Sequence, residues 1–147
     1  MFYLNKNVEL TADLLAKMIN RFHINEEPRL HRYKNYYDGI QKILQKTYAD
    51  ASKPCSKTVI NYCKNIADSY AGYLATPGFI SYKSDEDIED IMDILRYNDY
   101  QFEDNAFLLD ALVYGIAAEL MYIDEEGKTR FRLINPMTCF AICDDSL

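Results

Sequence analysis

Apolar residues over the first two-thirds of the chain recur mostly at three- and four-residue intervals, the spacing that gathers them on one face of an α-helix. Leu15, Met18, Ile19 and Phe22 form the first stripe, with Thr11 in the N-cap position and Asp13 in the favourable first turn, so a helix is predicted over about 12–24. Glu26-Glu27-Pro28 opens a second helix whose stripe is Leu30, Tyr33 and Tyr37 and whose stop is Asp38-Gly39. Residues 39–57 offer only Ile43-Leu44 before a stretch of Ala, Ser, Lys and Pro, which reads as an extended loop. From Val59 the apolar positions fall at i, i+3, i+4, i+7, i+8 and i+11, and a third helix is predicted over about 57–75, ending at Thr76-Pro77-Gly78. Phe79-Ile80-Ser81-Tyr82 reads as a short strand, and Ser84 with Asp87 as the capping box of a fourth helix carrying Ile88, Ile91, Met92 and Leu95. A fifth, over about 103–116, uses Phe107, Leu108, Ala111, Leu112 and Gly115.

Beyond Gly115 the pattern changes. Residues 118–124, 128–134 and 139–143 read as strands, the first two joined by the acidic turn Asp124-Glu125-Glu126-Gly127. The predicted class is therefore α+β: helix-rich, about five helices, with a short antiparallel β-meander at the C-terminal end, in a single domain. Val59, Ile66, Leu95, Leu108 and Leu112 are the expected core, since a chain of 147 residues is long enough to support one.

Charge narrows the function classes. With 23 acidic and 16 basic residues the formal charge is −7, which disfavours a sequence-independent grip on nucleic-acid phosphates. No apolar run approaches the roughly 20 residues that span a bilayer, and the N-terminus lacks a signal-peptide layout, so a soluble intracellular chain with no membrane partner is expected. That compartment argues against disulfides among Cys55, Cys63, Cys139 and Cys143. Zinc is not expected either: Cys55 and Cys63 are eight apart, with no His beside either pair. Cys63 falls on the apolar face of the third helix with Val59, Ile66, Ala67, Tyr70 and Leu74, and Cys139 and Cys143 would share one face of the last strand, so all four read as packing residues.

Carboxylates are abundant enough for a metal-dependent nuclease to be weighed. Asp110, Glu119, Asp124 and the Asp144-Asp145 pair are the candidates, but paired-metal chemistry needs acids converging on one pocket beside a basic group, and Glu119 is followed by Leu120-Met121. Asp124, Glu125 and Glu126 read better as a solvated turn. His23 and His31 have no nucleophile near them in the pattern, and the five glycines are scattered singly rather than forming a phosphate loop. No catalytic residue, cofactor or metal site is expected. Thirteen tyrosines against no tryptophan are unusual; Tyr33, Tyr36, Tyr37 and Tyr48 could form a partner surface, although rings buried along a helix with wet hydroxyls explain them more simply. Arg29, Arg32 and Lys34 read as a solvated face.

Four segments, in order, give the chain a family resemblance. The first is Tyr36-Tyr37-Asp38-Gly39 with Ile43-Leu44 behind it; the second runs from Lys53-Pro54-Cys55-Ser56-Lys57 through Asn61-Tyr62, Lys64, Ile66 and Asp68 to Gly72-Tyr73-Leu74 and Pro77. The third is Ile94-Leu95-Arg96-Tyr97-Asn98-Asp99-Tyr100, and the fourth is the helix-to-strand stretch carrying Tyr114, Gly115, Glu119, Tyr122, Asp124, Gly127, Phe131 and Pro136, continuing through Phe140, Ile142 and Asp144. Together they resemble the portal proteins of tailed bacteriophages, of the siphovirus type found in phages of Gram-positive bacteria. Departures are local: Ala75-Thr76 stands where that family tends to have Gly before the Pro, and Ile40 where it has Lys.

The resemblance implies a structural, non-enzymatic protein of the virion that forms a ring, usually a dodecamer, at one capsid vertex. Its partners would be its own copies, terminase, capsid or scaffold proteins and head-completion proteins, with DNA passing through the channel without sequence-specific binding; assembly would take place in the host cytoplasm. Since that family's chains are several times longer, this one is expected to be an N-terminal, wing-like portion that stops at Asp144-Asp145-Ser146-Leu147 within the wing's sheet. An acidic metal-dependent nuclease and a free-standing phage adaptor module are the alternatives.

Overall fold

The chain begins helically where Thr11 caps it: the Thr11 hydroxyl accepts the Leu14 N–H at 3.3 Å, and Asp13 pairs with Lys17 at 2.7 Å in the first turn of helix α1, Ala12–Arg21. In the computed structural model, which describes residues 2–5, 8–48, 50, 52, 54–76 and 80–144, the helical path does not break before Pro28. A π-helical turn, Phe22–Glu26, leads directly into α2, Glu27–Tyr37. Its cause is chemical. Pro28 has no N–H to return to the carbonyl four residues back, and the chain widens locally so that the Glu27 N–H reaches the Phe22 carbonyl instead. Two helices predicted as separate bodies are thus one rod.

Helix α3, Tyr62–Leu74, starts five residues later than its periodicity predicts, at an Asn61 cap whose Oδ1 accepts the Lys64 N–H at 3.1 Å. Helix α4, Glu89–Tyr97, follows turns in which Ser84 Oγ accepts from Glu86 N–H and Asp87 Oδ1 from Glu89 N–H, two local bonds rather than a reciprocal capping box. Helix α5, Tyr100–Tyr114, follows after only Asn98 and Asp99, and Gly115 ends it at φ 74°. Continuous helical bodies therefore number four rather than about five, with a 3-10 turn at Lys42–Gln45 inside the predicted loop.

The strands need a correction. Besides β1, Phe2–Leu4, there are β2, Ala118–Ile123, β3, Thr129–Ile134, and β4, Ile142–Asp144. Strands β2 and β3 form the expected antiparallel hairpin, in the register Ala118↔Ile134 to Ile123↔Thr129. The meander stops there, because β4 pairs in parallel with β1, Phe2 opposite Ile142 and Leu4 opposite Asp144. Cys139 precedes β4, so it and Cys143 do not share one strand. Ile80, Ser81 and Tyr82 are irregular rather than a strand; Phe79, with Pro77 and Gly78, lies outside the described residues.

The β1–β4 pairing decides where the core sits. Phe2, Met18, Phe22, Leu30 and Tyr114 are buried together, packed round by Leu14, Val113, Met137 and Ile142. Phe140 sits between Phe2, which it meets edge to face, and the tilted ring of Phe22, with ring centroids at 5.1 and 5.3 Å. The core predicted from helix periodicity is not this one: Ile66 is 57% exposed and Leu112 41%, while Val59, Leu95 and Leu108 are half-buried. On α3 the buried face is that of Ala67 and Ala71, and Cys63 is exposed. Small side chains let α3 approach α5, where Asn105 Nδ2 reaches the Ala71 carbonyl at 3.3 Å.

Folding leaves an unusual amount of surface. The accessible area is 11081 Å², against about 7,800 Å² for a compact monomer of this mass. No side chain of any size falls below 2% exposure among the described residues.

Candidate functional site

Two hydrogen-bonded clamps gather many of the residues picked out in the sequence. In the first, the end of α2 is tied to the start of α3. The Tyr37 hydroxyl donates to Asp68 Oδ1 at 2.7 Å and accepts from Lys64 Nζ at 3.1 Å, while that ammonium also sits 4.4 Å from the centre of the Tyr37 ring. Asn61 Nδ2 donates to the Tyr37 carbonyl at 2.7 Å. Gly39 follows at φ 81°, and a Cβ there would lie 3.2 Å from Asn61 Nδ2, so Gly serves both the conformation and the close approach. The Tyr37 hydrogen bond lowers the Asp68 carboxyl below its ordinary range and raises the Lys64 ammonium above its own, with the Lys64–Asp68 contact adding to both.

The second clamp docks the α4–α5 corner onto the hairpin. Asn98, 8% exposed, donates from Nδ2 to the carbonyls of Ile94 and Thr129 at 2.8 and 2.9 Å, and its Oδ1 accepts the Phe131 N–H at 3.0 Å. Its neighbour Asp99 holds φ 50°, the strained left-handed region for a residue with a Cβ, and turns the chain into α5. In the hairpin turn, Asp124 Oδ1 accepts the N–H groups of Glu126 and Lys128, Gly127 stands at φ 77°, and Arg130 Nε donates to Asp124 Oδ2 at 3.1 Å. The Arg130 guanidinium lies 4.1 Å from the centre of the Tyr97 ring, with Lys128 Nζ at 4.7 Å. Tyr97, Asn98, Asp99, Asp124, Gly127 and Phe131 are thus one assembly.

The remaining motif positions are divided. Tyr114 and Pro136 are buried, and Gly115 is the left-handed end of α5. Pro54, Lys57, Tyr62 and Tyr122 are exposed, as are Tyr73 and Gly72, and a Cβ on Gly72 would meet nothing within 4 Å. Glu119 on β2 has its carboxyl raised by partial burial first and by Glu103 and Asp104 next. Burial also raises Asp104 and Asp110, the latter opposed by Lys34.

These acids do not assemble a metal pocket: Asp124 is committed to its turn, and no group of three or more His, Cys, Asp or Glu is placed to hold an ion among the described residues. Asp144 lies in β4 and Asp145 outside the described residues. His23 and His31 both face Glu27, at 2.5 and 3.6 Å, and the His23 contact lowers that carboxyl. Cys55, Cys63, Cys139 and Cys143 are free thiols, with burial raising Cys139. No described helix is long and apolar enough to cross a membrane.

One concavity stands out. Between α2, α3 and the last turn of α5 lies an open groove of about 670 Å³, floored by Ala67 and Val113 and walled by Tyr33, Tyr36, Tyr37, Ile66 and Leu112. Arg32 and Lys42 stand on its rim and Cys63 opens into it. Tyr33, Tyr36 and Tyr37 thus form surface as well as packing along the α2 stripe, while Tyr48 does not line the groove. Of the neighbouring cations, Arg29 pairs with Glu26 and Lys34 with Asp38, whereas Arg32 and Lys42 make no ion pair among the described residues. The groove was missed in the sequence because its walls come from three helices; the signal available was the excess of tyrosine.

A family model described as "Phage portal protein, SPP1 Gp6-like" matches residues 16–147. The chain matches no curated protein. The matched span contains both clamps and the groove, and leaves out β1, everything else before α1, and residues 12–15 of α1 itself.

Proposed function

Because the chain belongs to the phage portal family, a structural family of the virion, we propose that it forms the outward, wing-like part of a ring at the portal vertex, through which DNA is packaged and ejected. The observation that carries this reading is the family match over residues 16–147, joined to the two clamps that its motif residues build. A formal charge of −7 suits an outward part of the ring that has no grip on DNA phosphates. Surface left open beyond that of a compact monomer suits a subunit whose neighbours cover it. In this reading terminase, capsid or scaffold proteins and head-completion proteins dock on the assembled ring rather than on a lone chain, and the ring is a dodecamer.

Electron microscopy of the protein expressed from its intact gene tests the proposal. Rings with a central channel are expected, and heads assembled without the protein are expected to stay empty of DNA. Protein that remains monomeric under assembly conditions, or heads that fill normally in its absence, would overturn the reading.

A further inference from the structure

Resting on the portal reading but going beyond it, we propose that the tyrosine-lined groove between α2, α3 and α5 receives helix α4 of a neighbouring copy, making the head-to-tail contact of the ring. Helix α4 carries the complementary features. Ile91 and Ile94, 57% and 36% exposed, lie one turn apart on its outer side, with Asp90 beside them in the first turn and Asp87 in the segment that leads into the helix. The other acids of the helix are occupied at home, since Arg96 binds Glu89 at 2.7 Å and Asp93 at 2.9 Å. What α4 and the segment before it present is therefore two apolar anchors preceded by two aspartates free of ion pairs among the described residues. The groove presents apolar walls, Tyr33, Ile66 and Leu112, below two cations equally free, Arg32 and Lys42. An amphipathic helix with anchors at i and i+3 fits such a groove, and complementary charge at the rim sets its register.

A chain's own α4 does not fill this site. It joins α5 at Tyr100, whereas the groove lies at Leu112 and Val113, about 18 Å along the helix at 1.5 Å per residue. Groove and helix are different surfaces of one chain, so their contact is heterologous, the type that closes into rings. The area agrees: each chain exposes roughly 3,300 Å² more than a compact monomer, and two such contacts at the standard 800 Å² per partner would cover about half of it.

Cys63 supplies the test. In the full protein, Ile91→Cys should form a disulfide with Cys63 of the next copy on mild oxidation, giving a ladder of dimers, trimers and higher multimers in non-reducing gels. The ladder should vanish in Ile91→Cys with Cys63→Ser. Independently, Arg32→Glu with Lys42→Glu should weaken self-association at least tenfold in sedimentation, as should Asp87→Lys with Asp90→Lys, while all four changes together restore it. Rings that form without the ladder and regardless of these charges would overturn the groove assignment and leave the portal reading standing. A ladder that stops at dimers would also overturn it, because an isologous contact cannot propagate. A ladder from protein that never closes into rings would support the contact and count against the portal reading instead. Loss of association that the fourfold swap fails to restore, with each variant folded by circular dichroism, would show that the charges do not pair.

Discussion

Asn98 has each of its polar atoms in use between two elements that are more than thirty residues apart in sequence. Replacing it by Ala would leave the Thr129 carbonyl and the Phe131 N–H without that partner at a part-buried junction, and the cost of such orphaned groups is about 1–3 kcal/mol. Asn98→Ala should therefore lower the urea midpoint by that amount of stability, with the loss felt first at the hairpin by hydrogen exchange. A change within experimental error would mean that water substitutes for the amide. At Gly39 the argument is steric. Ala there must hold a left-handed φ and crowd Asn61 Nδ2, so Gly39→Ala should cost about 1–2 kcal/mol, whereas Gly72→Ala, inside α3 with open space around it, should stabilise by up to about 1 kcal/mol. Thermal midpoints of the two variants moving in the same direction would refute the distinction. The helix pattern marked Tyr37 and Gly39, and the resemblance marked them again with Asn61, Asp68, Tyr97, Asn98 and Asp99; neither could say that they form two clamps, because the partners sit 24 to 33 residues away.

Elements were legible wherever local chemistry decides them. Thr11 capped α1 and the Asp124–Gly127 turn joined β2 to β3 as the pattern predicted, whereas Gly115, read as part of the fifth helix's face, is its left-handed end. Periodicity failed on α3 because it shows that an apolar face exists but not which side of it meets a neighbour: Ala67 and Ala71 bury, while Ile66 and Tyr70 face out. The β1–β4 pair was illegible for another reason, as three-residue strands at opposite ends of a chain leave no local signature. Phe2 now belongs to the core, and Phe2→Ala should cost about 3–5 kcal/mol and free β4 for proteolysis near Phe140. Unchanged stability would show that the terminal strand is dispensable. The hairpin turn carries a pH dependence. The Lys128 N–H above all, then the Glu126 N–H and Arg130, hold the Asp124 carboxyl below its ordinary value of 3.8. Its contribution is thus full above that value in the unfolded chain and is lost as pH falls through the lower folded one. Asp124→Asn should be less stable than the parent near neutral pH, and the gap should close in acid. Asp104, Asp110 and Glu119 are raised by burial and act in the opposite sense, favouring the fold as they protonate, so only the difference between parent and variant isolates Asp124. A gap that persists unchanged to about pH 2 would remove the carboxylate's charge as its source.

At the scale of the whole molecule, length alone misleads. A chain of 17.2 kDa exposes roughly 25,000 Å² when unfolded, and folding to 11081 Å² removes only about 56% of that, against the roughly 68–70% usual at 150 residues. Much of what stays open is apolar, and it lies away from the β1–β4 pair. Phe140 and Ile142 are covered by β1 and pack on the core, while the uncovered apolar surface lies on α3, on α4 and on β2, where Leu120, Met121 and Ile123 are 51–72% exposed. Two consequences can be measured on the isolated chain. Because less surface is released on unfolding, its urea m-value should be about four-fifths of that of a compact domain of equal length. Because assembly buries what folding leaves open, its melting temperature should rise with protein concentration, and the rise should shrink when Arg32 and Lys42 are both changed to Glu. A steep transition with a full m-value and a midpoint independent of concentration would show that this chain is stable by itself and that its open surface is not held for neighbouring subunits.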